Sequence, residues 1–511
     1  MNVFWKGPDV YMPTLHAPEA SQIADKPMTA RHSWRRILML CLLFLLSVVI
    51  SALLIGAAPQ RDGRIVSFLY IWTISFLPYF AGSAFVLATK PTTGRWRWIE
   101  VGIILVGALL LRAMLLPLPP GLSRDSWRYL WDARVTLHGF SPYVYPPWDK
   151  ALAPLRDMVL YPNSRFRNVP TIYPPGAQGV YLLSYVLAPA NLFFLKSIFL
   201  VFDMVTCVAL VVLLGRKGLD QRRVILYAWC PLPIVEFAIQ GHVDVITLTF
   251  SILAVLSAVN TSRRGLALSG FLIGLATLTK LYPILLLFAL LPGVTGSEHS
   301  VKDRGIPFLR SILLRGAPLL ITCFTTILLG YLPYLILGHG QVFGFFATYA
   351  SEQGENAGVV QQIVHWLGDQ FRMSLTTTIR LEHITDLLLV GTVSLVVFVL
   401  RLRNRIGIEA AVLLLYGVVL SISSHVFPWY TTTLLLWVPI LVGPVLIRGG
   451  LSGRGLAILA IWYFTTTSLI GYFSGVSADW TGYYRSVYTP VMIVLGLAAT
   501  IGIVNRFRLQ K

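Results

Sequence analysis

Long apolar runs recur from Ile37 to Val504, and no polar stretch between them is long enough for a separate globular domain. About 20 apolar residues span a bilayer as a helix, because hydrocarbon offers the backbone no hydrogen-bond partner and the chain must satisfy itself. With 56% hydrophobic and 12% charged residues, the 511-residue chain carries too little charge to cover a soluble surface. The expected fold is an all-α integral membrane bundle of about 12–14 transmembrane helices. Candidate spans fall at 37–58, 66–88, 99–117, 191–214, 224–239, 245–260, 265–279, 281–294, 311–337, 385–402, 408–423, 431–447, 455–472 and 487–505. The short pair 265–279 and 281–294 is either two crossings or one broken helix with a surface piece. Residues 176–190 are apolar too, but a crossing there breaks the charge alternation described next, so an interfacial or re-entrant helix is expected.

The net charge of +19 would suit nucleic acid in a soluble protein. Here the basic residues sit in short loops between apolar runs, which points to a membrane surface and not to nucleic acid. These loops hold Lys90, Arg95 and Arg97; Arg216, Lys217, Arg222 and Arg223; Arg263 and Arg264; Lys302, Arg304 and Arg310; Arg401, Arg403 and Arg405; Arg448 and Arg454; Arg506, Arg508 and Lys511. Cytoplasmic loops retain Lys and Arg, and one alternation puts every one of these loops inside. Residues 1–36 are then a cytoplasmic tail, residues 37–511 one transmembrane domain, and both termini cytoplasmic in the cell's inner (plasma) membrane. Two long loops, 118–175 and 338–384, fall outside. Cys41, Cys207, Cys230 and Cys323 lie in apolar runs without metal-ligand spacing, as small core residues do.

The first outer loop carries the densest chemistry. Ser123 or Asp125 can cap a helix running through Ser126 to Leu137. Asp125, Arg128 and Asp132 then share one face, which suits acid–base work on a substrate held at the interface. Plainer roles exist: Asp125 as a cap only, Asp132 as a partner of Arg128, and the loop's basic residues, Arg124 among them, as anchors for lipid headgroups. Charges inside membrane segments are functional candidates because insertion opposes them, and Glu236, Asp203 and Lys280 qualify. Their alternative is structural, with Lys280 paired to Asp203 or Glu236. His242 and Asp244 are too sparse for a metal site. His425, Trp429 and Tyr430 line another outer turn, as an interfacial belt or a sugar pocket.

Taken in order, Asp125-x-x-Arg128-Tyr129-x-Trp131-Asp132-x-Arg134, Gly139-x-x-Pro142-Tyr143 and Tyr173-Pro174-Pro175 resemble the first outer loop of bacterial GT-C glycosyltransferases. Gly241-His242-x-Asp244, Thr279-Lys280-x-Tyr282-Pro283 and Pro428-Trp429-Tyr430 follow in the order that group shows. The resemblance covers roughly residues 100 to 445. It is nearest to polyprenyl-phosphomannose-dependent mannosyltransferases and more distant from the catalytic subunit of GPI mannosyltransferase I. It departs in having three helices before the acidic loop where one is usual. The usual acidic pair, adjacent or next-but-one, is replaced by Asp125 and Asp132.

The resemblance implies an inverting transfer of a hexose, mannose first, from a polyprenyl-phosphate donor to a lipid or glycan acceptor on the outer face, with membrane lipids around it. It implies Asp125 as the catalytic base. Arg124, Arg128, Asp132, Tyr143, His242, Asp244, Lys280, His425, Trp429 and Tyr430 would be substrate-binding. Since the leaving group is already a phosphate, no cofactor is expected to be required, and a divalent metal is left open. A transporter or flippase of lipid-linked sugars is the alternative function; the absence of a visible internal repeat and the gathering of polar groups near one face favour the enzyme.

Overall fold

The computed structural model describes residues 30–58, 64–259, 262–291, 306–350, 354–447 and 450–508. They form an all-α bundle around one continuous apolar core, apart from a two-residue antiparallel ladder pairing Leu446 with Leu451 and Ile447 with Gly450. Among the described residues, seven helices are long and apolar enough to cross a bilayer: Ser33–Gly56, Ile65–Ala88, Gly94–Leu115, Leu192–Arg216, Leu313–Leu337, Leu375–Leu402 and Trp480–Asn505. An eighth crossing results if Gly453–Thr467 and Ile470–Ser477, bent by 43°, count as one. The polytopic all-α class is as expected, but the number of full-length spans is below 12–14.

The shortfall lies in the middle of the chain. Residues 224–239 are a succession of short pieces: a turn of 3-10 helix, Ile225–Ala228, Pro231–Pro233 and a wide π-turn Ile234–Ile239. Pro231 and Pro233 lack the amide needed to continue a regular helix. Nearly every residue from Val224 to Leu256 is buried on all sides, so this stretch is apolar because it is the core of the protein. Asp244–Ala258 and Arg263–Thr277 are 15 residues each, and 281–294 breaks into Tyr282–Leu285 and Leu286–Leu290. The 431–447 run breaks at Trp437, between Pro428–Leu435 and Val438–Leu441. By contrast, Leu375–Leu402 starts ten residues before its expected span and is largely exposed, with Leu387 and Leu388 turned outward. Such apolar outer faces suit lipid.

At the N-terminus the first helix, Ala30–Gly56, already includes Arg31, Arg35 and Arg36 of the expected 1–36 tail; residues 1–29 lie outside the described ones. Pro175–Leu187 is a 13-residue helix packed on Asp125–Leu137, as an interfacial segment would be. Close packing of Arg263–Thr277 on Ile306–Leu337 depends on Gly270 and Gly274. A Cβ at these positions would stand 2.0 Å from the Leu319 carbonyl oxygen and 2.6 Å from Thr326 Cβ. The four-residue spacing of small residues lets membrane helices approach backbone to backbone.

Buried charges hold the core. Asp203 pairs with Arg112, not with Lys280: Arg112 Nε lies 2.6 Å from Asp203 Oδ2, and Tyr227 donates to Oδ1 at 2.8 Å. Arg112 also donates to the Ala228 carbonyl at 2.7 Å, joining Gly94–Leu115 and Leu192–Arg216 to the broken central segment. Near the basic loops, Glu100 bridges Arg36 at 3.3 Å and Arg222 at 2.8 Å. Replacing one member of a buried pair strands the other, at a cost of about 3–5 kcal/mol. Asp203→Leu should therefore lower the thermal unfolding temperature in detergent sharply, and Arg112→Met with Asp203→Leu should recover much of the loss. A single variant as stable as the wild type would remove the pair from the core's support.

Candidate functional site

The loop leading to Asp125 is fixed by one side chain. Gln240 Oε1 accepts from the backbone amides of Gly121, Leu122 and Ser123 at 3.1, 3.0 and 3.2 Å. Lys196, buried in Leu192–Arg216, donates to the carbonyls of Leu118 and Ile239, tying the same two strands of chain together. Gly241 follows with φ +69°, a conformation that favours glycine, and a Cβ there would stand 3.0 Å from the Lys196 stem. The turn therefore aims His242 at the start of helix Asp125–Leu137 and Asp244 at Lys280.

The N-cap position of this helix is Arg124, which makes no side-chain cap, and Ser123 Oγ accepts from the Asp125 amide at 3.2 Å. The Asp125 carboxylate makes no cap. Its Oδ2 accepts from Tyr173 at 3.4 Å and faces His242 Nε2 at 4.0 Å. Burial pushes the Asp125 carboxyl above the ordinary aspartate range, opposed by the Lys280 charge and by the Ser123 and Tyr173 hydrogen bonds.

His242 is buried between two carboxylates and an aromatic face. Its Nδ1 lies 2.9 Å from Glu236 Oε2, and Glu236 accepts from Tyr472 at 3.1 and 3.2 Å. Glu236 thus pairs with His242, not with Lys280. The imidazole stacks on Trp429 at 3.8 Å and 16°. Trp429 stacks in turn on Phe427 at 4.5 Å, and Phe427 on His425 at 5.6 Å, giving a column of four parallel rings. His425 Nδ1 lies 3.2 Å from Asn356 Oδ1.

Lys280 Nζ lies 3.4 Å from Asp244 and over the rings of Tyr430 at 4.7 Å and Tyr173 at 5.7 Å. Asp244 and Lys280 line a cavity of about 300 Å³ with Tyr173, Tyr282, Tyr349 and Tyr430. Tyr173 connects it to Asp125: its ring lines the cavity and its hydroxyl reaches the carboxylate. Asp125, His242, Asp244, Lys280, Trp429 and Tyr430 are thereby brought together from four separate parts of the chain.

The remaining candidates sit elsewhere. Arg128 pairs with Asp132 at 2.7 Å and donates to the carbonyls of Phe166 and Val169 at 2.8 and 3.1 Å, while Gln178 donates to Asp132 at 3.3 Å. That network braces the outer loop. Arg124 is exposed at the helix start, and Tyr143 donates to the Tyr173 carbonyl at 2.7 Å from behind the site. Gln240 and Tyr472 were not expected from the sequence, nor were Gln361 and Asp386, which also line the cavity. Gln240 carried a signal, as a polar residue next to the Gly241 motif; Tyr472, far along the chain, carried none. Among the described residues no three His, Cys, Asp or Glu side chains are grouped as metal ligands would be.

Loss of the Gln240 oxygen would strand three partly or fully buried amides, each costing about 1–3 kcal/mol if no water replaces it. Gln240→Met should therefore raise hydrogen–deuterium exchange at residues 121–125 and leave exchange in Gly94–Leu115 unchanged. Equal protection in both proteins would mean that the loop is held by other contacts.

Two family models match the chain. Residues 38–294 match the α-(1→6)-mannopyranosyltransferase family, N-terminal domain, and residues 171–428 match glycosyltransferase family 87. A comparison with curated proteins finds no match. The two matches overlap over the central segment that carries Glu236, His242, Asp244 and Lys280, and between them they take in the Asp125 loop and the start of the Pro428–Leu435 helix. Each spans about half of the chain, and the protein accordingly belongs to these mannopyranosyltransferase and family 87 glycosyltransferases, as a multi-pass membrane enzyme that transfers a sugar.

Proposed function

We propose that the protein moves a hexosyl unit, mannose first, from a polyprenyl-phosphate donor to a lipid or glycan acceptor at the outer face of the cell's inner membrane, with inversion. The observation that carries this reading is the placement of Lys280 at the cavity wall beside Asp244, one tyrosine away from a partly buried Asp125. A cation there suits the phosphate of a donor whose tail stays in the bilayer. A carboxylate with a raised affinity for protons suits the attacking hydroxyl. The Lys and Arg excess of the short loops supports cytoplasmic termini and an outward Asp125 loop.

In this scheme the acceptor hydroxyl gives its proton to Asp125 as its oxygen attacks the anomeric carbon. The bond from that carbon to the phosphate oxygen breaks on the opposite side, and the electron pair leaves with the polyprenyl phosphate. The phosphate then carries a second negative charge, which the Lys280 ammonium stabilises. Asp244 keeps Lys280 in place between the Tyr173 and Tyr430 rings. His242, fixed by Glu236 and Trp429, borders Asp125 and limits where its carboxylate can turn.

Asp125→Asn retains the volume and loses the base, so turnover should fall at least about a hundredfold with little loss of folded protein. A base works deprotonated, and burial raises the Asp125 pKa, so activity should fall on acidification while the pH is still above the ordinary aspartate range. The check is a kcat/KM profile against pH. An acid limb at the ordinary aspartate value, or one that persists in Asp125→Asn, would assign the base elsewhere.

Lys280→Met keeps the apolar stem and removes the charge. With purified protein and polyprenyl-phosphomannose it should lose turnover, at least about tenfold for one charge-assisted contact to a departing phosphate. The same assay with nucleotide-linked mannose tests the donor directly. Transfer from the nucleotide sugar alone would overturn the lipid-phosphate donor and leave the glycosyltransferase assignment standing.

A further inference from the structure

The cavity has a second polar wall, formed by residues outside the base and phosphate groups described above. Helix Val359–Gln370 and helix Leu375–Leu402 pack against each other, and Gly368 lets them close, since a Cβ there would stand 2.6 Å from Thr378 Oγ1. Gln361 and His365 are four residues apart and share one helix face; Glu382 and Asp386 do so on the other. The two rows meet as a ladder. One rung is closed, because His365 Nε2 is in direct ion-pair contact with Glu382 Oε1. The other rung, Gln361 with Asp386, opens on the cavity, and both side chains line it.

The open rung is built for a ligand. Gln361 is buried, with 3% of its surface exposed, and it hydrogen-bonds Asp386 across the rung, while the Asp386 Oδ1 oxygen stays buried without a hydrogen-bond partner. Asp386 stands next to Leu387 and Leu388, which face outward on a helix apolar enough to cross the bilayer. A carboxylate on such a helix is unfavourable unless polar protein groups or a ligand meet it. A carboxylate only accepts hydrogen bonds, while a glutamine amide both donates and accepts. Together they match a pair of neighbouring ring hydroxyls, each of which donates one hydrogen and accepts another. They do not match a phosphate, which the carboxylate would repel. Lys280, on another wall of the cavity, is the group that suits the phosphate.

We propose that Gln361 and Asp386 form a hydroxyl-binding subsite for the pyranose ring of the acceptor. This rests on the reading of the cavity as the site of sugar transfer. A donor hexose could offer the same vicinal hydroxyls, but its attached phosphate argues for a place nearer Lys280 than an anionic wall.

The test uses the full chain purified in detergent, with polyprenyl-phosphomannose as donor and octyl α-mannoside as acceptor. Asp386→Asn should raise the acceptor KM at least about tenfold, as expected for a hydrogen bond to a charged group. The donor KM, the melting temperature and the slow hydrolysis of donor without acceptor should not change. Gln361→Leu removes the amide and keeps the carboxylate, and should move the same constant in the same direction. An unchanged acceptor KM in both variants overturns the subsite. A raised donor KM with unchanged acceptor KM overturns its assignment to the acceptor. Should the wild type transfer nothing from this donor, the donor reading fails by itself. The subsite is then decided by saturation-transfer NMR with methyl α-mannoside: a signal lost in both variants upholds it, and one that persists in either overturns it.

Discussion

Everything around Asp125 and the cavity hangs on a core segment that is neither a regular helix nor a loop. Residues 224–244 run through the centre of the bundle, broken by Pro231 and Pro233 and widened by a π-turn. Broken backbone is tolerated at such depth only when protein groups satisfy it. Here they do: Arg112 takes the Ala228 carbonyl, Trp72 the Pro231 carbonyl, and Tyr79 the Leu226 carbonyl. Because the segment is held from all sides, the turn at its end is rigid enough to present Gln240 to the loop and His242 to Asp125.

Charge in the bundle divides by how completely it is paired. Arg112, Asp203 and Tyr227 make short direct contacts in the interior, and Glu100 is shared between Arg36 and Arg222 beside the basic loops. These sets are closed and serve packing. At the opposite end the contacts are longer and incomplete: 4.0 Å from His242 to Asp125 and 3.4 Å from Lys280 to Asp244. Groups so arranged keep capacity for a ligand; Asp244 and Lys280 border the cavity, and Tyr173 links it to Asp125. An ion pair stretched across a cavity wall can open to a phosphate without stranding either charge in apolar surroundings, whereas a closed pair such as Arg112–Asp203 cannot.

Much of this was legible in the sequence, for identifiable reasons. Hydropathy marks lipid-facing helices well, so Leu192–Arg216 and Ile306–Leu337 fall close to their expected limits. It fails for 224–239 and 431–447, because a protein core and a bilayer demand the same apolar composition and only length and proline position separate them. The helix at Asp125, the Arg128–Asp132 pair and the grouping of His242, Asp244, Lys280, Trp429 and Tyr430 follow from local spacing and a shared outer location. The partners of the buried charges do not. Which of Arg112, His242 or Lys280 meets Asp203 or Glu236 depends on helix packing over distances of up to 91 residues, and periodicity carries no information about it. Asp386 escaped notice for a related reason: one carboxylate near the start of an apolar run reads as a helix end, and only the packing of Val359–Gln370 turns it toward a cavity.

The stacked column of His425, Phe427, Trp429 and His242 explains how distant parts of the chain act on one carboxylate. His425 and Phe427 are two apart in non-helical chain and present their rings to the same side, and the first turn of helix Pro428–Leu435 adds the Trp429 ring to the column. Stacking then fixes the plane of the His242 ring, and Glu236 fixes its rotation by engaging Nδ1. With plane and rotation both set, Nε2 faces Asp125 across 4.0 Å. Tyr472 holds the far side of Glu236, so a helix from beyond both family matches closes the arrangement. The acidic group is therefore bordered by the turn at 240–244 and the aromatic column on one side and held by its own loop on the other.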